Sequence, residues 1–214
     1  MQLRPPLEPR VPGMLWPLEP ATLEDEARHE AVELTGDGPV TVRHPALVES
    51  RVRGTLAGSG LADLQLGDSA VSGADLAKPS APKAALRRVA IDQARLTGAD
   101  LSEASLSDVS FSDCRIDLAS LAAARLERVV FAGCDLREAS FAEAILRDVR
   151  FDGCDLGGVE LARVRLQRVE LRGCRLEGIN AVENLRGAAM PWEDIVGHAG
   201  LFAAAVGIRP VEEG

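Results

Sequence analysis

The 214-residue chain has no tyrosine and little other aromatic content, five Phe and two Trp, 3% in all. A core centred on aromatic packing is therefore excluded. With 46% hydrophobic residues, the interior must instead be built from aliphatic and small side chains. Excess positive charge is also missing, since 24 basic residues face 33 acidic ones for a net charge of −9. That balance argues against a general binder of nucleic acid or anionic membrane, either of which needs a basic surface. No long hydrophobic run is present; the longest strongly apolar stretch, Leu201 to Val206, is far too short to cross a bilayer. The opening Met1-Gln2-Leu3-Arg4-Pro5-Pro6 lacks the apolar segment of a signal peptide. The expectation is a soluble, cytoplasmic protein without a membrane partner. Neither a phosphate-binding loop nor a GxGxxG turn occurs, and His29, His44 and His198 are scattered. No Ser or Cys carries a nucleophile signature, so no enzyme, cofactor, metal or small-molecule substrate is expected.

What the sequence does have is a period of five. Every fifth residue from Leu86 to Leu176 is apolar, 19 in succession, and two positions before each lies Ala, Val or Cys. Helices need apolar spacings of three and four, and strands need strict alternation, so neither holds such a period. Each pentapeptide reads as a short extended piece and a turn. Its centre and the small residue point inward, and the other three positions face water. A second period of 20 lies on the first: Cys114, Cys134, Cys154 and Cys174 recur at that interval, as do Val89, Val109, Val129, Val149 and Val169. Four pentapeptides per turn of a square solenoid would place such residues directly above one another, with coils about 4.8 Å apart.

In that arrangement the first and last cysteines stand about 14 Å apart, too far to share one tetrahedral ion. Adjacent ones sit beyond disulfide reach. They read as buried thiols in the core, beside Phe111, Phe131 and Phe151. Upstream the period continues through Leu56, Leu61, Leu66, Val71, Leu76 and Ala81, and Pro79 and Pro82 are expected to distort one wall by removing ladder donors. Before Leu56 the phase slips by one residue. The chain therefore divides into a Pro-rich arm and transition segment at 1–41, a solenoid at 42–181 that is regular from 84, and a C-terminal segment at 182–214. Within the first, Leu23 to Leu34 fits either a short helix or a degenerate coil. In the last, Pro191 opens an expected α-helix whose apolar stripe is Ile195, Val196, Ala199, Phe202, Ala205 and Val206. That stripe suits a cap on the last coil or a homodimer seam.

Runs such as Cys134-Asp135-Leu136-Arg137-Glu138-Ala139-Ser140-Phe141 and Gly153-Cys154-Asp155-Leu156 resemble the pentapeptide-repeat proteins. The resemblance implies a right-handed quadrilateral parallel β-helix, an all-β solenoid. Some members of that family pair tail to tail, and certain quinolone-resistance members imitate duplex DNA to engage DNA gyrase. A non-enzymatic protein-interaction role, with DNA gyrase as one partner, is what the resemblance implies here. A DNA mimic needs a long anionic surface, yet residues 84–180 hold 16 acidic against 14 basic residues. The acids concentrate on one wall, Asp100, Glu103, Glu143 and Glu160 against Arg163. Another wall carries Arg87, Arg88, Arg125, Arg128, Arg147, Arg165 and Arg168 against three acids. Two alternatives therefore stay open: an assembly scaffold, or nucleic-acid binding through the arginine wall.

Overall fold

The computed structural model describes residues 3–209. Every fifth residue from Gly58 to Gly178 lies in the left-handed region, with φ between 48° and 74°. These are the corners. Each falls two positions after an apolar centre and swings the chain onto the next wall, and four of them close one circuit.

The stack opens on short strands: β1 (Trp16–Leu18), β2 (Arg28–Glu30), β3 (Val32–Leu34), β4 (Thr41–Arg43), β5 (Ala46–Val48), β6 (Arg51–Val52) and β7 (Gly60–Ala62). Six longer strands follow: β8 (Gln65–Ser72), β9 (Ala85–Asp92), β10 (Ser105–Ser112), β11 (Arg125–Ala132), β12 (Ile145–Asp152) and β13 (Arg165–Arg172). Each long strand bends around a corner and covers two walls, and all pair in parallel with their neighbours. Partners recur once per circuit, as in Leu86, Leu106, Leu126 and Leu146 or Ile91, Phe111, Phe131 and Phe151. The other two walls hold one bridge per coil, such as Arg115–Asp135 and Ser120–Ser140. Their corners close as turns in which Ala99 N–H donates to Leu96 O (2.9 Å) and Ala139 N–H to Leu136 O (3.0 Å), with the left-handed residue third, as a type II turn requires.

Parallel pairing begins well before residue 42, the expected lower edge of the solenoid. Partner spacing is 16 at Trp16–Val32, 18 at Glu33–Arg51, 19 at Arg51–Ala70 and 20 from Gln65–Ala85 onward. The early coils are shorter, which is why their period drifts out of step while the layers still stack. Leu23 to Leu34 is thus a degenerate coil, not a helix. The wall holding Pro79 and Pro82 is not distorted either. Ser80 N–H donates to Ser59 O (2.8 Å), and the Pro79 and Pro82 carbonyls accept from Asp100 and Asp63 (2.9 and 3.0 Å). Equivalent positions on later coils, Ala99 and Ser102, commit their N–H to a turn bond and to Asp100 Oδ1. The prolines therefore sit where no coil-to-coil donor is needed.

Inside, centres and small residues form one continuous buried column from Leu23 to Ile179. Phe111, Phe131 and Phe151 stack face to face at 4.8 and 5.0 Å, and Phe141 meets Phe131 and Phe151 edge-on. At the far end the expected single helix is broken at His198 into α1 (Trp192–Gly197) and α2 (Ala199–Ala205). No helix among the described residues is long and apolar enough to cross a membrane.

Corner geometry sets a test at Leu118, an exposed corner residue with φ 59°. A left-handed L-residue costs about 1–2 kcal/mol, of which glycine recovers part after its larger loss of chain entropy. Leu118→Gly is expected to raise stability by about 0.5–1 kcal/mol in denaturant unfolding, and Leu118→Val to lower it by about 1 kcal/mol, because β-branched residues avoid this region. The opposite order contradicts the corner assignment.

Candidate functional site

Stacking puts each outward residue beside its counterparts one coil above and below, so the surface is a set of vertical files and the interior holds no open cleft. The four cysteines form one such file, pointing inward. All are free and buried, and each Sγ donates weakly to a carbonyl of the preceding coil, as in Cys114 to Ile91 O (3.4 Å) and Cys154 to Phe131 O (3.4 Å). Contact with neighbouring thiols and burial push Cys134 and Cys174 well above the ordinary thiol range. Over this wall the corners Gly133, Gly153 and Gly173 leave a shallow polar groove edged by Asp135, Arg137, Asp155 and Arg175. Asp135 is bonded by Arg137, and Asp155 by Arg175.

Of the four acids singled out from sequence, Asp100 and Glu160 share one file, separated by Ser120 and Ser140. Glu103 and Glu143 occupy the adjoining corner, both left-handed. The structure thus brings the four onto one side of the rod without making them converge. Asp100 accepts from Ser102 N–H and Oγ (3.1 and 2.6 Å), and Glu143 is paired with Arg163 one coil on.

The arginine wall is less basic than its composition. Arg88, Arg128 and Arg168 lie at one corner, and each makes a two-pronged ion pair with an aspartate one coil below. Arg128 Nε and Nη2 reach Asp108 Oδ1 and Oδ2 at 2.7 and 2.9 Å; Arg168 reaches Asp148 at 2.6 and 2.5 Å, and Arg88 pairs with Asp68 in the same way. The file therefore reads Asp, Arg, Asp, Arg, Asp, Arg up the rod. Side-chain exposure of the acids is only 11%, 5% and 2% for Asp68, Asp108 and Asp148. The guanidinium beside each holds its carboxyl below the usual carboxylate range, against the opposing effect of burial. Counting charge wall by wall conceals this ladder, whereas reading every twentieth residue from Asp68 reveals it.

At the C-terminal end, polar groups of the short helices cover the last coil. Gly173 N–H donates to Asp194 Oδ2 (2.7 Å), His198 Nε2 donates to Cys174 O (3.0 Å), and Asn184 Nδ2 donates to Leu161 O (3.0 Å). Of the expected apolar stripe, Phe202 packs on the core with Leu201, Ile195 is half-buried, and Val196, Ala199 and Val206 face solvent with Trp192. Asp194 and His198, not the stripe alone, close the column.

The ladder predicts a defined acid response. A lowered carboxyl pKa stabilises the folded state fully above the unfolded value of about 3.9 and ceases to do so as pH falls through the folded value. Stability is therefore expected to fall below about pH 4, and Asp108→Asn to flatten that fall in unfolding curves measured between neutral and strongly acid pH. An unchanged acid limb in the variant contradicts a structural role for the pair.

The family comparison agrees with this geometry. Residues 64–141 and 124–183 match the model of the pentapeptide repeat region. No curated protein is significantly similar to the chain. Among solved structures, HetL of the cyanobacterium Nostoc sp., described as involved in heterocyst differentiation regulation, is 21% identical, covering 78% of this chain and 91% of its own, with TM-score 0.36. The plasmid-mediated fluoroquinolone resistance protein QnrB1 is 18% identical over 92% of this chain and 99% of its own, with TM-score 0.47. A pentapeptide repeat protein of the Arabidopsis thaliana thylakoid lumen is 23% identical over 45% and 67%, with TM-score 0.43. With more than half its length matched to the repeat model, and with each coil from Gln65 onward built from four pentapeptide walls, the chain belongs to the pentapeptide repeat family.

Proposed function

We propose that the protein is a non-enzymatic interaction module that presents the outside of its rod to a protein partner in the cytoplasm. The observation that carries this reading is the filled interior: one continuous core runs from Leu23 to Ile179, with voids of only about 40 and 20 Å³, so recognition is left to the outward files. The arginine wall offers phosphate only part of its nominal charge, since Arg88, Arg128 and Arg168 are already engaged by buried aspartates. The acidic side suits a cationic surface better. Asp100, Glu103 and Glu160 have no ion-pair partner among the described residues, and they stand along one face.

Within this class the finer reading is a DNA-mimicking modulator of a type II topoisomerase, DNA gyrase, linked to antibiotic resistance. It draws on the activity of certain members of the family and on the straight rod with a partly anionic side. Titrating the full chain into a gyrase supercoiling reaction tests it. Supercoiling is expected to change with protein concentration, and Glu103→Lys/Glu160→Lys to remove the effect. Absence of any effect at large molar excess rules out the topoisomerase reading.

A further inference from the structure

Six of the twelve prolines lie between Pro5 and Pro20. Proline-rich chain favours the polyproline II helix, with three residues per turn and a rise of about 3.1 Å per residue. From residue 3 to residue 10 burial follows that period: Leu3, Pro6 and Pro9 are half-buried, whereas Arg4, Pro5, Leu7, Glu8 and Arg10 are exposed; Val11 and Pro12 are both half-buried. One face of the arm thus lies on the rod.

That face is anchored on the ladder. Leu7 N–H donates to Asp108 Oδ1 at 3.2 Å. One turn to either side, Arg4 borders the same cavity as Asp148, and the backbones of Arg4 and Arg10 help to hold Asp148 and Asp68 charged. Leu3, Arg4 and Pro5 border a cavity of about 220 Å³ with Val130, Asp148 and Arg150. Val130 belongs to the outward file Ala70, Ala90, Ser110, Val130, Arg150; the small side chains of its first four members leave room for a chain lying beside the ladder, and Arg150 edges the cavity at its end.

The two spacings coincide. Six residues of polyproline II, Arg4 to Arg10, span about 19 Å, and the four coils from Asp148 to Asp68 also span about 19 Å at strand spacing. That register sets an amide every third residue against a carboxylate on every second coil, with the bond formed at Leu7 and Asp108. The arginines on the intervening coils hold each carboxylate charged and oriented, with acceptor capacity left for the arm.

We infer that the Asp68, Asp108 and Asp148 file is a receptor for a polyproline II peptide, occupied in this chain by residues 3–10. Its partner in trans is a proline-rich segment of another protein with a non-proline amide at every third position. Such segments usually dock in aromatic grooves; here carboxylates read the amides and a floor of small residues takes the prolines. Because the arm is tethered, it competes at an effective concentration on the order of millimolar, and a partner must displace it. This inference is independent of the topoisomerase reading, which concerns a different side of the rod.

A fluorescein-labelled peptide with the sequence of residues 3–12, titrated with the full-length chain and followed by anisotropy, tests it. In a Leu7→Pro/Arg10→Pro chain the arm stays extended but loses two of its three amides. The peptide is expected to bind that chain at least fivefold more tightly than the unaltered one. A peptide carrying the same two substitutions is expected to bind neither, and a Leu7→Ala chain, which keeps the amide, to match the unaltered protein. Equal affinity for the unaltered and doubly substituted chains, or undiminished binding of the amide-poor peptide, overturns the inference. Amide exchange of the unaltered chain gives a second reading that needs no variant: Leu7 is expected to exchange at least tenfold more slowly than Glu8, and equal rates overturn the docked arm.

Discussion

The left-handed residue at each corner does two things at once. It turns the chain onto the next wall, and it returns the backbone to the height at which its N–H and C=O groups meet those of the adjacent coils. An L-residue loses about 1–2 kcal/mol in that conformation, and outside the glycines every corner from Asp63 to Arg168 adopts it. The cost is sustained because each corner commits an aliphatic or Phe centre to the core, a burial of about 1.5–3 kcal/mol, together with hydrogen bonds to the coils above and below. Remove the corner and the centre, the small residue and the ladder lose register together.

Stacking at fixed height also decides the surface chemistry. Outward side chains have their nearest partners one coil away, so charge is organised along the rod. Arg128 finds Asp108, Arg168 finds Asp148 and Arg163 finds Glu143, each pair bridging adjacent coils. The net charge of a wall is consequently a poor guide to what it offers a ligand. The arginine wall loses three of its guanidiniums to buried aspartates, one of which, Asp108, also accepts from the Leu7 amide of the N-terminal arm, and the acidic side leaves Asp100, Glu103 and Glu160 without an ion-pair partner among the described residues.

Much of the fold was legible from the five-residue period, because only inward positions are restricted in size and polarity and the restriction recurs at every wall. The corners had left a fainter trace: from Gly58 to Gly178 they hold eight glycines and no Val, Ile or Thr. The coils before Leu56 were hidden because they are shorter than the later ones, so pairing survives while the period drifts. Pro79 and Pro82 misled because a missing donor matters only where the ladder uses one. The break at His198 had no signal in an unbroken apolar stripe. The Asp/Arg file required reading along the rod, and the three-residue period of the arm acquires meaning only beside the coil rise. The acidic and cap residues were individually identifiable, but their pairing with Arg163 or with the last coil depends on three-dimensional neighbours.

The account rests on four pentapeptides making one full circuit, and the four cysteines carry natural markers of it. Anomalous scattering from their sulfur atoms in crystals of the protein locates them directly. The predicted result is four peaks in a single straight file, about 4.8 Å between neighbours. Peaks on different walls, or unevenly spaced along the rod, would contradict the circuit and with it the corner geometry, the ladder and the seat of the arm.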